Sequence, residues 1–114
     1  MFENEAPYIP LDIAQYKAMR DAKTPHLLLD VREPMEYAQA HIAGATLVPM
    51  NDVMWQVDDL RAHDQIVVVC RSGSRSAMVA MILRDAGLTG KIYNLEGGII
   101  AWAQAGNAYE SGES

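Results

Sequence analysis

Short apolar runs alternate along this chain with stretches whose apolar residues recur at helical spacing. Ile66-Val67-Val68-Val69 is β-branched throughout, the signature of a strand covered on both faces. His26 to Val31 and Lys91 to Leu95 read as further core strands, and Thr46 to Val48 as a short one. Tyr8-Ile9 can add an edge strand that Pro10 ends. Between these runs lie the helical stretches. Asp12 can cap a helix from Ile13 to about Arg20, with Ile13, Tyr16 and Met19 or Lys17 on one face, until Lys23-Thr24-Pro25 breaks it. Pro34 fits the first turn of a short helix through Met35, Glu36, Tyr37 and Gln39. Asn51 can cap a helix across Val53, Met54, Val57 and Leu60. Ala77, Met78, Met81 and Ile82 recur helically as far as Ala86, with Gly87 as the stop. A last helix carries Ile99, Ile100 and Trp102 and stops near Gly106.

Strands alternating with helices predict an α/β domain with a mostly parallel central sheet and helices on both faces. No repeat, linker or low-complexity segment divides the chain. Residues 1–114 are therefore expected to form one domain, with an ordered core over about residues 8–106, a loose arm over Met1–Pro7 and a frayed end over Asn107–Ser114. Parallel sheets bind ligands beyond the carboxyl ends of their strands. Cys70 lies at one such end, Asp30 ends another strand, and Gly97-Gly98 follows a third, so all are expected at one edge.

The stretch after Val69 has its own chemistry. Cys70-Arg71-Ser72-Gly73-Ser74-Arg75-Ser76 joins a buried strand to a helix. Such a turn gathers backbone N–H groups into a nest, and the helix N-terminus adds positive potential. Arg71 and Arg75 add two permanent charges. A cysteine at that mouth has its pKa lowered and is suited to act as a sulfur nucleophile toward an anionic substrate. A lone cysteine after four apolar residues also reads as core filler. The polar, doubly basic loop that follows is a poor wall for a core, and favours the nucleophile.

Composition narrows the setting. Half the 114 residues are hydrophobic and 21% are charged, as in an ordinary globular protein. The net charge of -6 argues against nucleic-acid binding over the general surface, and makes the two loop arginines a local positive spot suited to small anions. A single cysteine permits no internal disulfide, which suits a reducing cytoplasm, and any second thiol must come from outside the chain. No stretch is apolar enough to span a membrane, and Met1-Phe2-Glu3-Asn4-Glu5 does not read as a signal peptide. A cytoplasmic protein is expected. Three scattered histidines and one cysteine have no metal-site spacing, and no cofactor is expected.

Three segments together resemble the rhodanese family, specifically its small single-domain sulfurtransferases. Leu29-Asp30-Val31-Arg32-Glu33 with Glu36-Tyr37, His41-Ile42 and Gly44-Ala45 is similar to the N-terminal signature. Cys70 to Ser76 is similar to the active-site loop, and Leu95-Glu96-Gly97-Gly98-Ile99 with Ala101-Trp102 and Gly106 to the C-terminal signature. Ala40 departs from the family, which often has glycine before the histidine. The resemblance implies a rhodanese-like fold and a thiosulfate sulfurtransferase. Cys70 would take a sulfane sulfur from a small anionic donor, hold it as a persulfide, and pass it to a thiol or protein acceptor. Arg71, Ser72, Gly73, Ser74 and Arg75 would cradle the anion, the two arginines orienting its sulfonate end. Asp30, Arg32, Ser76, Gly97, Gly98 and Trp102 would support the loop. A monomer or weak dimer is the expected assembly.

Two other readings compete. The nearest is a cysteine phosphatase or arsenate reductase, because a related phosphatase group shares this fold, but its arginine lies six positions after the cysteine; here the interval is 75 − 70 = 5, a smaller cradle suited to a single sulfur. From a different class comes a sulfur carrier or regulatory binding module with little turnover of its own. Individual residues also have bland readings. Asp30 at a strand end more often accepts backbone hydrogen bonds than acts in catalysis. Arg32 is expected to pair with a carboxylate. His41 is not needed as a base if Cys70 is already ionised. His26 and His63 read as surface residues, Trp55 as part of a helix face, Trp102 as packing near the loop, and the seven methionines mostly as core filler. Gly97 and Gly98 are expected where close backbone approach or unusual torsions are needed.

Overall fold

The computed structural model describes residues 6–112. Most of the expected N-terminal arm and the last two residues of the tail lie outside that range. In chain order the elements are β1 (Ile9–Leu11), α1 (Ile13–Asp21), β2 (Leu27–Asp30), α2 (Pro34–Gln39), β3 (Thr46–Leu47), a 3-10 helix (Met50–Gln56), α3 (Val57–Leu60), β4 (Gln65–Val69), α4 (Ser74–Asp85), β5 (Lys91–Leu95) and α5 (Gly98–Gln104). The five strands form one sheet in the order β1-β5-β4-β2-β3, and every pairing is parallel. β4 is thus central, flanked by β5 through Val67↔Tyr93 and by β2 through Leu29↔Val68.

The strand pleat sorts the core into two layers. Ile66, Val68 and Cys70 face one side, where Val53, Val57, Leu60, Val79, Ala80 and Leu83 cover them. Val67 and Val69 face the other, against Tyr16, Ile99 and Trp102. Residues two apart point the same way in a strand, so a β-branched run lets one strand feed both layers. Helices accordingly cover both faces, as the alternation of elements predicts. No helix of the described residues is long and apolar enough to cross a membrane.

Local chemistry explains most boundaries. Asp12 accepts from Gln15 N at 2.7 Å while Gln15 Oε1 accepts from Asp12 N at 2.9 Å, a reciprocal capping box that starts α1. Pro34 opens α2, and Glu36 Oε1 accepts from Glu33 N at 3.0 Å. Several expectations are corrected. Pro10 lies inside β1 rather than ending it; an edge strand tolerates the missing donor. Asn51 caps nothing, because the segment enters from Pro49 as a 3-10 helix and becomes α-helical only at Val57. The inner face of α4 is Ser76, Val79, Ala80 and Leu83, so the expected Ala77, Met78, Met81 and Ile82 set is out of phase. Met78 is 51% exposed and Met81 44%. Met35 and Met54 are also exposed, so among the described residues methionine is not mainly core filler, and Trp55 is 85% exposed.

The C-terminal segment is fastened rather than frayed, at least as far as Gly112. His41 and Glu110 exchange backbone hydrogen bonds of 2.8 and 2.7 Å, and Gly112 N donates to Ala38 O at 2.7 Å. The hydrogen-bonded chain therefore continues beyond residue 106. His26 is not a plain surface residue either: its Nε2 meets Tyr16 Oη at 2.9 Å and its Nδ1 meets Thr24 O at 2.8 Å.

Candidate active site

Three strand ends build the site. β4 delivers Cys70, β2 delivers Asp30 and the segment leading into α2, and β5 delivers Glu96-Gly97. Cys70 is fully buried at the foot of the loop that climbs to α4. Gly73 caps that helix with φ +107°, a conformation that favours glycine, and its N–H donates to Cys70 Sγ at 3.1 Å. Ser76, buried on the first turn of α4, donates its hydroxyl to the same sulfur at 3.3 Å. Burial pushes the Cys70 thiol up. The Ser76 hydroxyl and the N–H groups of Ser76, Gly73 and Ser72 outweigh it, and the pKa is lowered from its ordinary 9.0. Sulfur is an acceptor in every one of these contacts, which is the hydrogen-bonding pattern of a thiolate.

The loop is braced from beneath and from the side. Ile99 N donates to Cys70 O at 2.9 Å and Ile100 N to Arg71 O at 3.1 Å, so the start of α5 holds the loop backbone. Gly97 and Gly98 have φ of +81° and +60°. A Cβ on Gly98 would collide with the carbonyls of Cys70 and Arg71, which makes this a point of close backbone approach as well as unusual torsion. Asn94, inside β5, donates to Gly73 O at 3.2 Å and to Glu96 Oε2 at 2.7 Å. A buried asparagine in a core strand was the available sequence signal for this brace, and reading Lys91–Leu95 only as an apolar run passes over it.

Asp30 and Arg32 form a buried unit. Arg32 gives 3.0 and 2.8 Å hydrogen bonds to the two Asp30 oxygens, Asp30 Oδ1 also accepts from Arg32 N at 3.1 Å, and Arg32 Nη2 reaches Ala40 O at 2.6 Å. Both residues act on the chain around α2, and their hydrogen bonds run to each other and to Ala40. His41 is buried, stacked on Tyr37 with centroids 3.8 Å apart.

Two expected roles change. Arg75 does not stand free to meet an anion: its Nη1 and Nη2 each donate to one Glu36 oxygen at 2.8 Å. The Arg75 hydrogen bonds hold the Glu36 carboxyl down to about 2, and Glu36 in turn raises the Arg75 pKa. Trp102 packs with Val69 in the core layer on the opposite face of the sheet from Cys70. It lies against Tyr16 at 5.7 Å between ring centroids, beneath the Arg20 guanidinium, and its indole N–H donates to Ala108 O at 2.8 Å. Trp102 therefore anchors the C-terminal segment to α1. Arg71, Ser72 and Ser74 are exposed on the rim of the loop. Among the described residues no cluster of histidine, cysteine or carboxylate groups could hold a metal ion.

A model of the rhodanese-like domain matches residues 12–105. A sulfurtransferase of Allochromatium vinosum is 40% identical over 80 residues, which cover 70% of this chain and 74% of that protein. A putative sulfur carrier protein of Bacillus subtilis is 32% identical over 100 residues, covering 88% of this chain and 54% of the relative. Among solved structures, the thiosulfate sulfurtransferase of Pseudomonas aeruginosa superposes with a TM-score of 0.86 at 28% identity, over 94% of this chain but only 21% of that one. This chain thus spans about half of the carrier and about a fifth of the Pseudomonas enzyme.

Proposed function

The chain belongs to the rhodanese-like domain family, and from that premise we propose that it transfers sulfane sulfur through a persulfide on Cys70. One observation carries the reading: the Cys70 sulfur accepts from Gly73 N and Ser76 Oγ at the junction of a buried strand and a helix. That arrangement favours a thiolate, the competent sulfur nucleophile. In the first step the thiolate attacks the outer sulfur of a donor such as thiosulfate. An S–S bond forms to Cys70, the donor S–S bond breaks, and its electron pair leaves with sulfite. In the second step a thiophilic acceptor attacks the outer sulfur of the persulfide, and the electron pair returns to Cys70. Cyanide serves as acceptor in an assay, giving thiocyanate, and a thiol or protein in the cell. The covalent intermediate divides the transfer into two accessible steps. The loop N–H groups that stabilise the resting thiolate are placed to stabilise the persulfide anion as well.

Cys70 is buried, so attack requires the rim of the loop to yield, and the reacting atom must be slender. The terminal sulfur of a sulfane-sulfur donor satisfies that demand. Cys70→Ser is expected to abolish thiocyanate formation from thiosulfate and cyanide, with the circular dichroism spectrum unchanged; a folded variant that retained turnover would remove Cys70 from the mechanism. A second reading, a sulfur carrier that hands its persulfide to a bound protein, is supported by the name of the Bacillus relative. The two separate in one assay. A carrier loads one sulfur per chain and turns over slowly with free cyanide, whereas an enzyme turns over repeatedly. A cytoplasmic setting fits either, because a reducing compartment keeps the single Cys70 thiol from being oxidised.

A further inference from the structure

The sequence places two arginines around the cysteine, and the structure cancels one of them. Both Arg75 terminal nitrogens are committed to the two Glu36 oxygens at 2.8 Å in a bidentate fork. The pair is only about a third exposed on each side, so solvent does not fully screen it. Glu36 is in turn fixed by a hydrogen bond from Glu33 N at 3.0 Å. Arg75 stands on the first turn of α4 beside Ser76, whose hydroxyl meets the Cys70 sulfur at 3.3 Å, so the Glu36 carboxylate is held at the same end of that helix. Within this pair the charges sum to zero, and an incoming anion meets a carboxylate already seated on the arginine.

We infer that Glu36 is a specificity-determining residue that biases the Cys70 site against doubly charged sulfur donors and toward singly charged or neutral sulfane-sulfur compounds. This rests on the sulfur-transfer reading above and names the donor class for it. Electrostatic energy scales with the product of the charges. A fixed carboxylate therefore penalises a dianion twice as strongly, on a logarithmic scale, as a monoanion held in the same place. Thiosulfate is a dianion. An aryl thiosulfonate is a monoanion that presents the same terminal sulfur on a sulfonyl group and leaves as a sulfinate, with charge and electron pair balanced as for sulfite. The persulfide of a low-charge thiol carries less charge still.

The test compares thiosulfate with benzenethiosulfonate on wild type and on Glu36→Gln, which keeps the side-chain size and the oxygen that accepts from Glu33 N. Removing the charge leaves the Arg75 cation uncompensated, although the retained oxygen can still accept from its Nη1. The kcat/KM for thiosulfate is expected to rise about tenfold and that for benzenethiosulfonate about threefold, the first factor close to the square of the second. The change is expected chiefly in KM, and Glu36→Asp, which keeps the charge, is expected to keep the wild-type donor ratio. Equal factors for both donors, or a loss with both, would overturn the inference, because a merely structural role for Glu36 does not distinguish donors by charge. Should Glu36→Gln not fold, salt titration of the wild type decides: added salt is expected to leave kcat/KM for thiosulfate unlowered relative to the monoanion, and a selective fall for the dianion would contradict a neutralised cradle. Failure of either donor to add sulfur to wild-type Cys70 would bring down the sulfur-transfer reading with it. Loading by both donors, without a charge-dependent response, would bring down this inference alone.

Discussion

Burial and hydrogen bonding pull the Cys70 thiol in opposite directions, and hydrogen bonding wins. The consequence is a pH profile. Alkylation of Cys70 by a small reagent such as iodoacetamide is expected to rise with pH through a midpoint below 9.0, because only the thiolate reacts. Ser76→Ala removes one donor and leaves the burial. It is expected to move that midpoint upward and to slow sulfur transfer at neutral pH about tenfold, the equivalent of one charge-assisted hydrogen bond of about 1.5 kcal/mol. An unchanged alkylation profile in Ser76→Ala would show that the hydroxyl does not stabilise the thiolate. At this scale the sequence was informative about Cys70, Gly73 and Ser76, because a nest after a buried strand is a local feature. It was misleading about Arg75. Two cations near a cysteine read as an anion cradle, but Glu36 is 39 residues away in sequence from Arg75 and meets it only when α2 and α4 flank the same strand ends.

Between elements, the site depends on braces that cross from one strand end to the next. Gly98 is the tightest: an added Cβ would meet the carbonyl oxygens of Cys70 and Arg71 in a backbone with φ +60°. Gly98→Ala is expected to lower stability to urea by about 2 kcal/mol or more; an unshifted unfolding midpoint would contradict the packing described here. The Glu36–Arg75 pair joins α2 to α4 and has its own pH signature. The folded pKa of Glu36, about 2, lies below its ordinary 4.5, so the pair adds stability above pH 4.5 and loses it as pH falls toward 2. Glu36→Gln is expected to flatten the acid side of the stability curve across that window, by a modest amount because the pair is partly exposed. An acid limb identical to wild type would mean the pair contributes nothing to holding the helices together. Strand positions were legible from short apolar runs, and β5 falls on Lys91–Leu95 as the pattern indicates. The phase of α4 was not. Counting methionine as a core residue pointed to Met78 and Met81, whereas the inward-facing Ser76 fixes the rotation and turns both methionines outward.

Over the whole molecule, alternating strands and helices resolve into a five-stranded parallel sheet whose central strand ends at the nucleophile. The architecture was readable because each strand is a short apolar run followed by a turn signal. The fastening of the C-terminal segment was not, because Asn107–Gly112 is polar and its anchors are backbone hydrogen bonds to His41 and Ala38 and the indole of Trp102. A chain ending at Asn107 lacks those contacts. It is expected to lose about 1–2 kcal/mol of stability, on the order of a few net hydrogen bonds, measured by thermal or urea unfolding. Equal stability would show that the segment rests on the domain without supporting it.

Sulfur transfer through Cys70 is measured most directly by intact-protein mass spectrometry after incubation with a sulfane-sulfur donor, thiosulfate or benzenethiosulfonate, and again after cyanide. A persulfide mechanism requires a gain of one sulfur atom, mapped to Cys70, that disappears on addition of cyanide as thiocyanate forms. No mass gain with either donor, or a gain that cyanide does not remove, would contradict sulfur transfer through Cys70.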